Sequence, residues 1–388
     1  MAPLKFLEDQ QVAHPELAEW YQQFGDLYQR KLWHQLTVKL EQFVSLAALQ
    51  SGDGLIQLYH NFIADFETKI NLLKLAQFAV VVSRQYREKD AAIAYLEQIV
   101  EKLRQTKQAR VEEPVLYVKM QIAKLKLQGG EDKATKDLLE EGKGTLESMA
   151  DVDPSVHASV YWVSSQYHKS RQDFAEFYRS ALQYLSYTSV DTLSEDFKLN
   201  FSVDLSLAAL LGENIYNFGE LLAHPIMKVL ESNKGAEWLF QIVHAFNAGD
   251  LSKYDALCNQ YAKQLNAQPA LVANERRLRE KITILSLLEL VFSRPSEDRT
   301  ISLAEIAERT KLPIDGVEFL LMKTLSVHLI EGVIDQVDGT VRVSWVQPRV
   351  LAVTQISGLR DRLDSWLTKV HSTLLSIETE APDLIAVS

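Results

Sequence analysis

Residues 302–346 read SLAEIAERTKLPIDGVEFLLMKTLSVHLIEGVIDQVDGTVRVSWV, and the period of the apolar residues changes within that stretch. Ser302 stands three residues before Glu305, a capping-box spacing in which each side chain can satisfy a free backbone donor at a helix start. Leu303, Ile306 and Ala307 then share the inner face of a short helix reaching about Thr310. Pro313 breaks it, Asp315 can cap a second helix, and Val317, Leu320, Leu321 and Thr324 repeat at helical spacing to about Ser326. After that the pattern turns β-branched. Residues 330–337 and 340–346 flank Asp338-Gly339, a dipeptide suited to the positive dihedral angles of a tight hairpin turn. Two helices and a hairpin make a winged helix. An exposed hairpin edge can accept a strand from a neighbouring module, so Val341, Val343 and Trp345 are candidate contact residues.

Downstream, residues from about 354 to 379 predict one long helix. With Ile356 at the first heptad position, Leu359, Leu363, Trp366, Val370 and Ile377 fall on the same seam, and Thr373 is the exception. Such a seam calls for a partner helix. The competing expectation is that the helix folds back on its own domain, because Leu367 and Leu374 widen the stripe.

Upstream, apolar residues recur at helical spacing from about Glu16 to Phe292, interrupted at Gly52-Asp53-Gly54, Gly129-Gly130, Asp153-Pro154 and Gly249-Asp250. In the last of these, Gly249 suits a left-handed position after one helix and Asp250 can cap the next. Ala92, Leu96, Ile99 and Leu103 make one stripe behind Asp90, a candidate cap; Phe174, Tyr178, Ala181, Leu182 and Leu185 make another. Ten prolines and fifteen glycines in 388 residues leave long stretches without helix breakers. Many amphipathic helices joined by short turns can bury their stripes either in one bundle or by stacking pair on pair, and the length of this chain favours stacking. The expected fold is all-α: a TPR-like helical-repeat solenoid, then the winged helix, then the long C-terminal helix.

Composition restricts the chemistry. Cys258 is the single cysteine, so no intramolecular disulfide and no cysteine-based zinc cluster can form within the chain, which fits a reducing compartment. The N-terminal residues meet acidic and amide side chains before any signal-peptide core, and secretion is not expected. The most apolar stretch, residues 282–292, spans about 16 Å as a helix, half a bilayer core, and reads as a buried core helix rather than a membrane span. The nine histidines include no pair at zinc-ligand spacing and no His-x-His. Gly142-Lys143-Gly144-Thr145 lacks the upstream glycine of a phosphate loop, where Asp137 stands, and has Gly144 where Ser or Thr is needed. No Gly-x-Ser-x-Gly elbow is present, and Cys258 has no nucleophile context. Acidic pairs such as Glu112-Glu113 read as solvated surface. No enzyme activity, cofactor or metal is expected.

A winged helix raises the question of DNA, and charge argues against it. Residues 297–346 carry five bases, Arg299, Arg309, Lys311, Lys323 and Arg342, against nine acids, within a chain of formal net charge −11. The second helix would carry Asp315 and Glu318 toward the phosphates. A protein partner is the alternative this favours.

Helical repeats, an acidic winged helix and one long helix in that order resemble the PCI-domain subunits shared by the proteasome lid, the signalosome and an initiation factor. The architecture leaves the three complexes open. KLWHQLT at 31–37, GDGLI at 52–56, LGE at 211–213 with NFGELL at 217–222, AFN at 245–247 and WVQPRVL at 345–351 resemble proteasome-lid members, a likeness running over residues 20–366. The resemblance implies a non-catalytic scaffold of the regulatory-particle lid, in cytoplasm and nucleus, acting in lid assembly and ubiquitin-dependent degradation as part of a hetero-oligomer. It implies a helical-repeat arm at 1–172, the helical part of a PCI domain at 173–296, the winged helix at 297–347, and a bundle helix and tail at 348–388. The implied neighbours are other lid PCI subunits, the lid metalloprotease dimer and, near the arm, the intrinsic ubiquitin receptor, with no nucleic acid and no membrane. The alternatives are a PCI scaffold of the signalosome or initiation-factor type and a winged-helix nucleic-acid-binding regulator.

Overall fold

A computed structural model describes residues 3–44, 46, 52–106, 110–295, 298–350 and 353–380, with the side chains of the last segment described from Ile356 onward. The chain divides into two compact units, Met1–Leu193 and Ser194–Ser388. Helix dominates both, and the three strands among the described residues fall between Thr300 and Val346. The chain is thus an all-α repeat protein with a winged helix and a long final helix.

The first unit consists of α1 (Pro3–Ala13), α2 (Ala18–Gln29), α3 (Trp33–Val44), α4 (Gly54–Asn61), α5 (Leu72–Ser83), α6 (Lys89–Gln105), α7 (Glu112–Gly129), α8 (Asp132–Ser148), α9 (Pro154–Ser170) and α10 (Phe174–Tyr187). Helical periodicity is legible only from Glu16, yet α1 forms upstream of it, held by the burial of Phe6 and Leu7. Each such side chain contributes about 1.5–3 kcal/mol when fully buried. The stripe Ala92, Leu96, Ile99 and Leu103 is the buried face of α6. Asp90 lies in the first turn of that helix behind the cap residue Glu88, where its charge complements the helix dipole instead of closing the cap. At α9, Asp153 accepts a bond from the Ser155 amide at 2.8 Å and Pro154 takes the first helical position, which needs no N–H. Neighbours in sequence pack on one another, α6 on α7, α7 on α8 and α9 on α10, while α7 also meets α5 and α9. Contacts within a helix pair and between one pair and the next are what a repeat array requires.

The helical part of the second unit runs through α11 (Glu195–Leu211), α12 (Gly219–Ala223), α13 (Met227–Ser232), α14 (Glu237–Ala248), α15 (Leu251–Gln260), α16 (Ala262–Asn266), α17 (Pro269–Ala273) and α18 (Glu275–Ser293). Every residue from Lys281 to Leu288 is buried, so α18 is the core helix its composition suggests. No described helix is long and apolar enough to cross a membrane. The corner between α14 and α15 is built as its sequence dictates. Gly249 adopts φ 59°, and a Cβ there would stand 2.7 Å from the Leu285 carbonyl oxygen of α18, so a side chain is excluded both by the backbone angle and by the approach. Asp250 then caps α15 by accepting from the Lys253 amide at 2.9 Å.

The remainder comprises β1 (Thr300–Ser302), α19 (Leu303–Thr310), α20 (Ile314–Ser326), β2 (Ile330–Asp335), β3 (Thr340–Val346) and α21 (Val353–Glu380). The strands form one antiparallel sheet in the order β1-β3-β2. The expected strand from 330 to 337 ends at Asp335, because its carboxylate accepts from the amides of Val337 and Asp338 and turns the chain there.

Candidate protein-interaction site

The winged helix begins with half a capping box. Ser302 Oγ accepts from the Glu305 amide at 3.2 Å. The reciprocal arm is diverted: both Glu305 carboxylate oxygens accept from Arg294 Nη2, at 2.5 and 2.6 Å, which ties the end of α18 to α19. Asp315 makes no capping bond and lies in the first turn of α20, behind Pro313 at the cap position. That helix buries Val317, Leu320, Leu321 and Thr324 as its spacing requires. Its outward face exposes Phe319, at 67%, and Met322 beside Asp315 and Glu318. Neither apolar residue is singled out by the inward stripe, although their three-residue spacing off that stripe is visible in the sequence. This is the face a DNA-binding winged helix would lay in the groove; Asp315 and Glu318 make one side of it acidic, while on the other Phe319 shares a pocket with Arg276, Arg279, Lys311 and Lys323. Two cations of the module are also engaged elsewhere, Lys323 by Glu280 and Lys311 by Asp255 at 3.5 Å.

In the sheet, β3 is the central strand. β1 takes one side of it, through Thr300↔Arg342, Ile301↔Val341 and Ser302↔Thr340, and β2 takes the other. A strand of three residues carries too short an alternation to be read from sequence, so β1 emerges only in the fold. It moves the open edge of the hairpin to β2, whose Val333 is 71% exposed. Of the three hairpin candidates, Val341 and Val343 point into the module's own core, with 0% and 3% exposure, while Trp345 is 39% exposed. Simple alternation would place all three on one face. A bulge breaks it: Glu331 pairs with Trp345 but Gly332 with Val343, leaving Ser344 as an extra residue whose hydroxyl donates to the Glu331 carbonyl at 3.1 Å. The added residue turns Trp345 outward and Val346 inward. The two valines therefore hold the module together, and Trp345 and Val333 are its outward hairpin side chains.

The C-terminal helix α21 presents its whole seam. Ile356, Leu359, Leu363, Val370 and Ile377 are exposed and Trp366 is 65% exposed, as are Leu367, Leu374 and Leu375 alongside. Every side chain from Ile356 to Glu380 is exposed except Ser357, which is intermediate. Among the described residues nothing covers this stripe, which makes it a candidate association face.

Reactive chemistry finds little to work with. Among the described residues no group of three or more His, Cys, Asp or Glu side chains could hold a metal ion. Burial pushes the Cys258 thiol up, the opposite of what activates a nucleophile. Lys281 is the most perturbed cation: burial, reinforced by Arg277, pushes it down to about 7. Its Nζ donates to the carbonyl oxygens of Ala209, Leu210 and Gly212 at 2.6, 3.2 and 2.9 Å, closing the C-terminal end of α11. Those bonds account for its burial without a substrate.

Comparison with known proteins matches residues 20–243 to the family model described as PSD13 N-terminal repeats and residues 258–345 to the PCI domain. The chain is 64% identical over 386 residues to the 26S proteasome non-ATPase regulatory subunit 13 homolog B of Arabidopsis thaliana, covering 100% of both. It is 35% identical over 371 residues to the 26S proteasome regulatory subunit RPN9 of Saccharomyces cerevisiae, covering 92% of each. The eukaryotic translation initiation factor 3 subunit M of Neosartorya fischeri shares 26% identity over 173 residues, 45% of this chain and 36% of that protein.

Proposed function

The chain belongs to the 26S proteasome non-ATPase regulatory subunit 13 family, and from that premise we propose that it is a non-catalytic scaffold subunit of the regulatory-particle lid. It acts in lid assembly and thereby in ubiquitin-dependent protein degradation, in cytoplasm and nucleus. Residues 1–172 serve as the helical-repeat part, 173–296 and 297–347 as the helical and winged-helix parts of the PCI domain, and 348–388 as bundle helix and tail. The winged helix docks beside PCI modules of other lid subunits, through the β2 edge, Trp345 and the Phe319–Met322 face. The seam of α21 enters a helical bundle shared with its neighbours, the lid metalloprotease dimer among them, and the N-terminal repeats lie near the intrinsic ubiquitin receptor.

One observation carries this reading: identity to proteasome subunits extends along the full chain, whereas the likeness to an initiation-factor subunit covers less than half of it. The exposed seam of α21 supports it, since that surface is completed by association. Native mass spectrometry of the complex purified through a tag on this chain tests it. Co-purifying lid subunits are expected in stoichiometric amount; initiation-factor or signalosome subunits in their place would overturn the assignment.

A further inference from the structure

Within the first unit, α5, α7, α9, α10 and the turn that follows them line an open cleft of about 460 Å³, inside the range of about 300–1,000 Å³ typical of ligand clefts. Its charged lining consists of Arg84 and Lys124, and no carboxylate contributes to the wall. That is unusual for a chain of formal net charge −11. Among the described residues neither cation pairs with an acid, and burial, with a smaller contribution from the charge of Arg84, pushes Lys124 down. Two like charges facing one cavity repel, and an anion placed between them would relieve that repulsion.

The rest of the wall is aromatic and polar. Trp162 and Tyr184 stand against each other with ring centroids 5.0 Å apart. Tyr187, 40% exposed at the rim, is stacked on His157 at 4.5 Å and 6°, so its ring is held in place before anything binds. Gln121 adds an amide able to meet a backbone, and Ser159, whose hydroxyl donates to the Val156 carbonyl at 2.7 Å, can still accept there. A bare inorganic anion would leave the aromatic wall unused, and a nucleic acid would meet the acidic surface of the molecule.

We propose that this pocket receives an acidic segment of a partner polypeptide, a carboxylate lying between Arg84 and Lys124 and an adjoining apolar side chain against Trp162 and Tyr184. The site belongs to the first unit, whereas the winged helix and α21 belong to the second, and its test does not depend on lid assembly.

The test uses the full-length chain and two fluorescein-labelled peptides, Glu-Leu-Glu-Leu-Glu and Gln-Leu-Gln-Leu-Gln, read by anisotropy. The Glu peptide is expected to bind about tenfold tighter than the Gln peptide, with the preference weakening as salt rises. In the Arg84→Gln/Lys124→Gln variant the preference should fall to about twofold or less while the helical circular dichroism stays unchanged. Should that variant fold poorly, Arg84→Gln alone, at an exposed position, is expected to remove at least half of the preference in free-energy terms. Tyr187→Ala should weaken both peptides. Equal binding of the two peptides, or a preference that survives in the variants, overturns the proposal. So does inorganic phosphate displacing the Glu peptide with an affinity equal to the peptide's own, because the aromatic wall would then contribute nothing.

Discussion

At the scale of single residues, two positions carry more than their size suggests. A Cβ on Gly332 would stand 2.4 Å from the Arg342 carbonyl oxygen, inside the bulge that turns Trp345 outward. Gly332→Ala is therefore expected to destabilise the winged helix by about 2 kcal/mol, seen as a lower urea midpoint at unchanged slope. Lys281 makes a different prediction. Its pKa lies near 7 in the folded chain and near 10.4 once unfolded, so between about pH 7 and pH 10.4 the unfolded state binds more protons and this group's contribution to stability rises with pH. Below that window both states are protonated and the contribution is flat. Lys281→Met should thus make the slope of stability against pH less positive from about pH 8 to pH 10, and a denaturation series across that range checks it.

At the scale of elements, α21 and the winged helix divide the labour between exposure and self-sufficiency. The winged helix has its own core of Ile301, Leu303, Ile306, Val317, Leu321, Val341 and Val343, all buried. By contrast α21 offers a seam that nothing in its own unit covers among the described residues. Replacing both Leu363 and Trp366 with glutamate removes no internal contact, so stability should change by less than about 0.5 kcal/mol. Incorporation into the lid, followed by native gels of cell extracts, should nonetheless be lost. Normal incorporation would show that the seam is dispensable.

At the scale of the whole molecule, charge decides what the surface can meet. A formal charge of −11, Asp315 and Glu318 on α20, and the pairing of Arg279 and Lys311 with Asp255 and of Lys323 with Glu280 all disfavour a phosphate backbone. Duplex DNA titrated at about 50 mM salt should show no salt-sensitive binding by anisotropy. Measurable affinity that disappears on neutralising Lys323 and Arg342 would restore the nucleic-acid reading.

What the sequence by itself determined is what neighbours along the chain control. The buried stripes of α6 and α20, the Gly249-Asp250 corner and the helical run of α21 all depend on residues within a turn or two of each other, and local propensity and period report them faithfully. The hairpin turn at Asp338-Gly339 is instead widened to residues 336–339. Tertiary structure decided the rest. β1 exists because β3 offers it an edge about forty residues later, Glu305 leaves its capping box because Arg294 reaches it from α18, and the bulge at Ser344 separates Trp345 from Val341 and Val343. Arg84 and Lys124 likewise share a cavity only because repeat helices stack. Contacts between distant residues depend on how whole elements pack, and no short stretch of sequence contains that information.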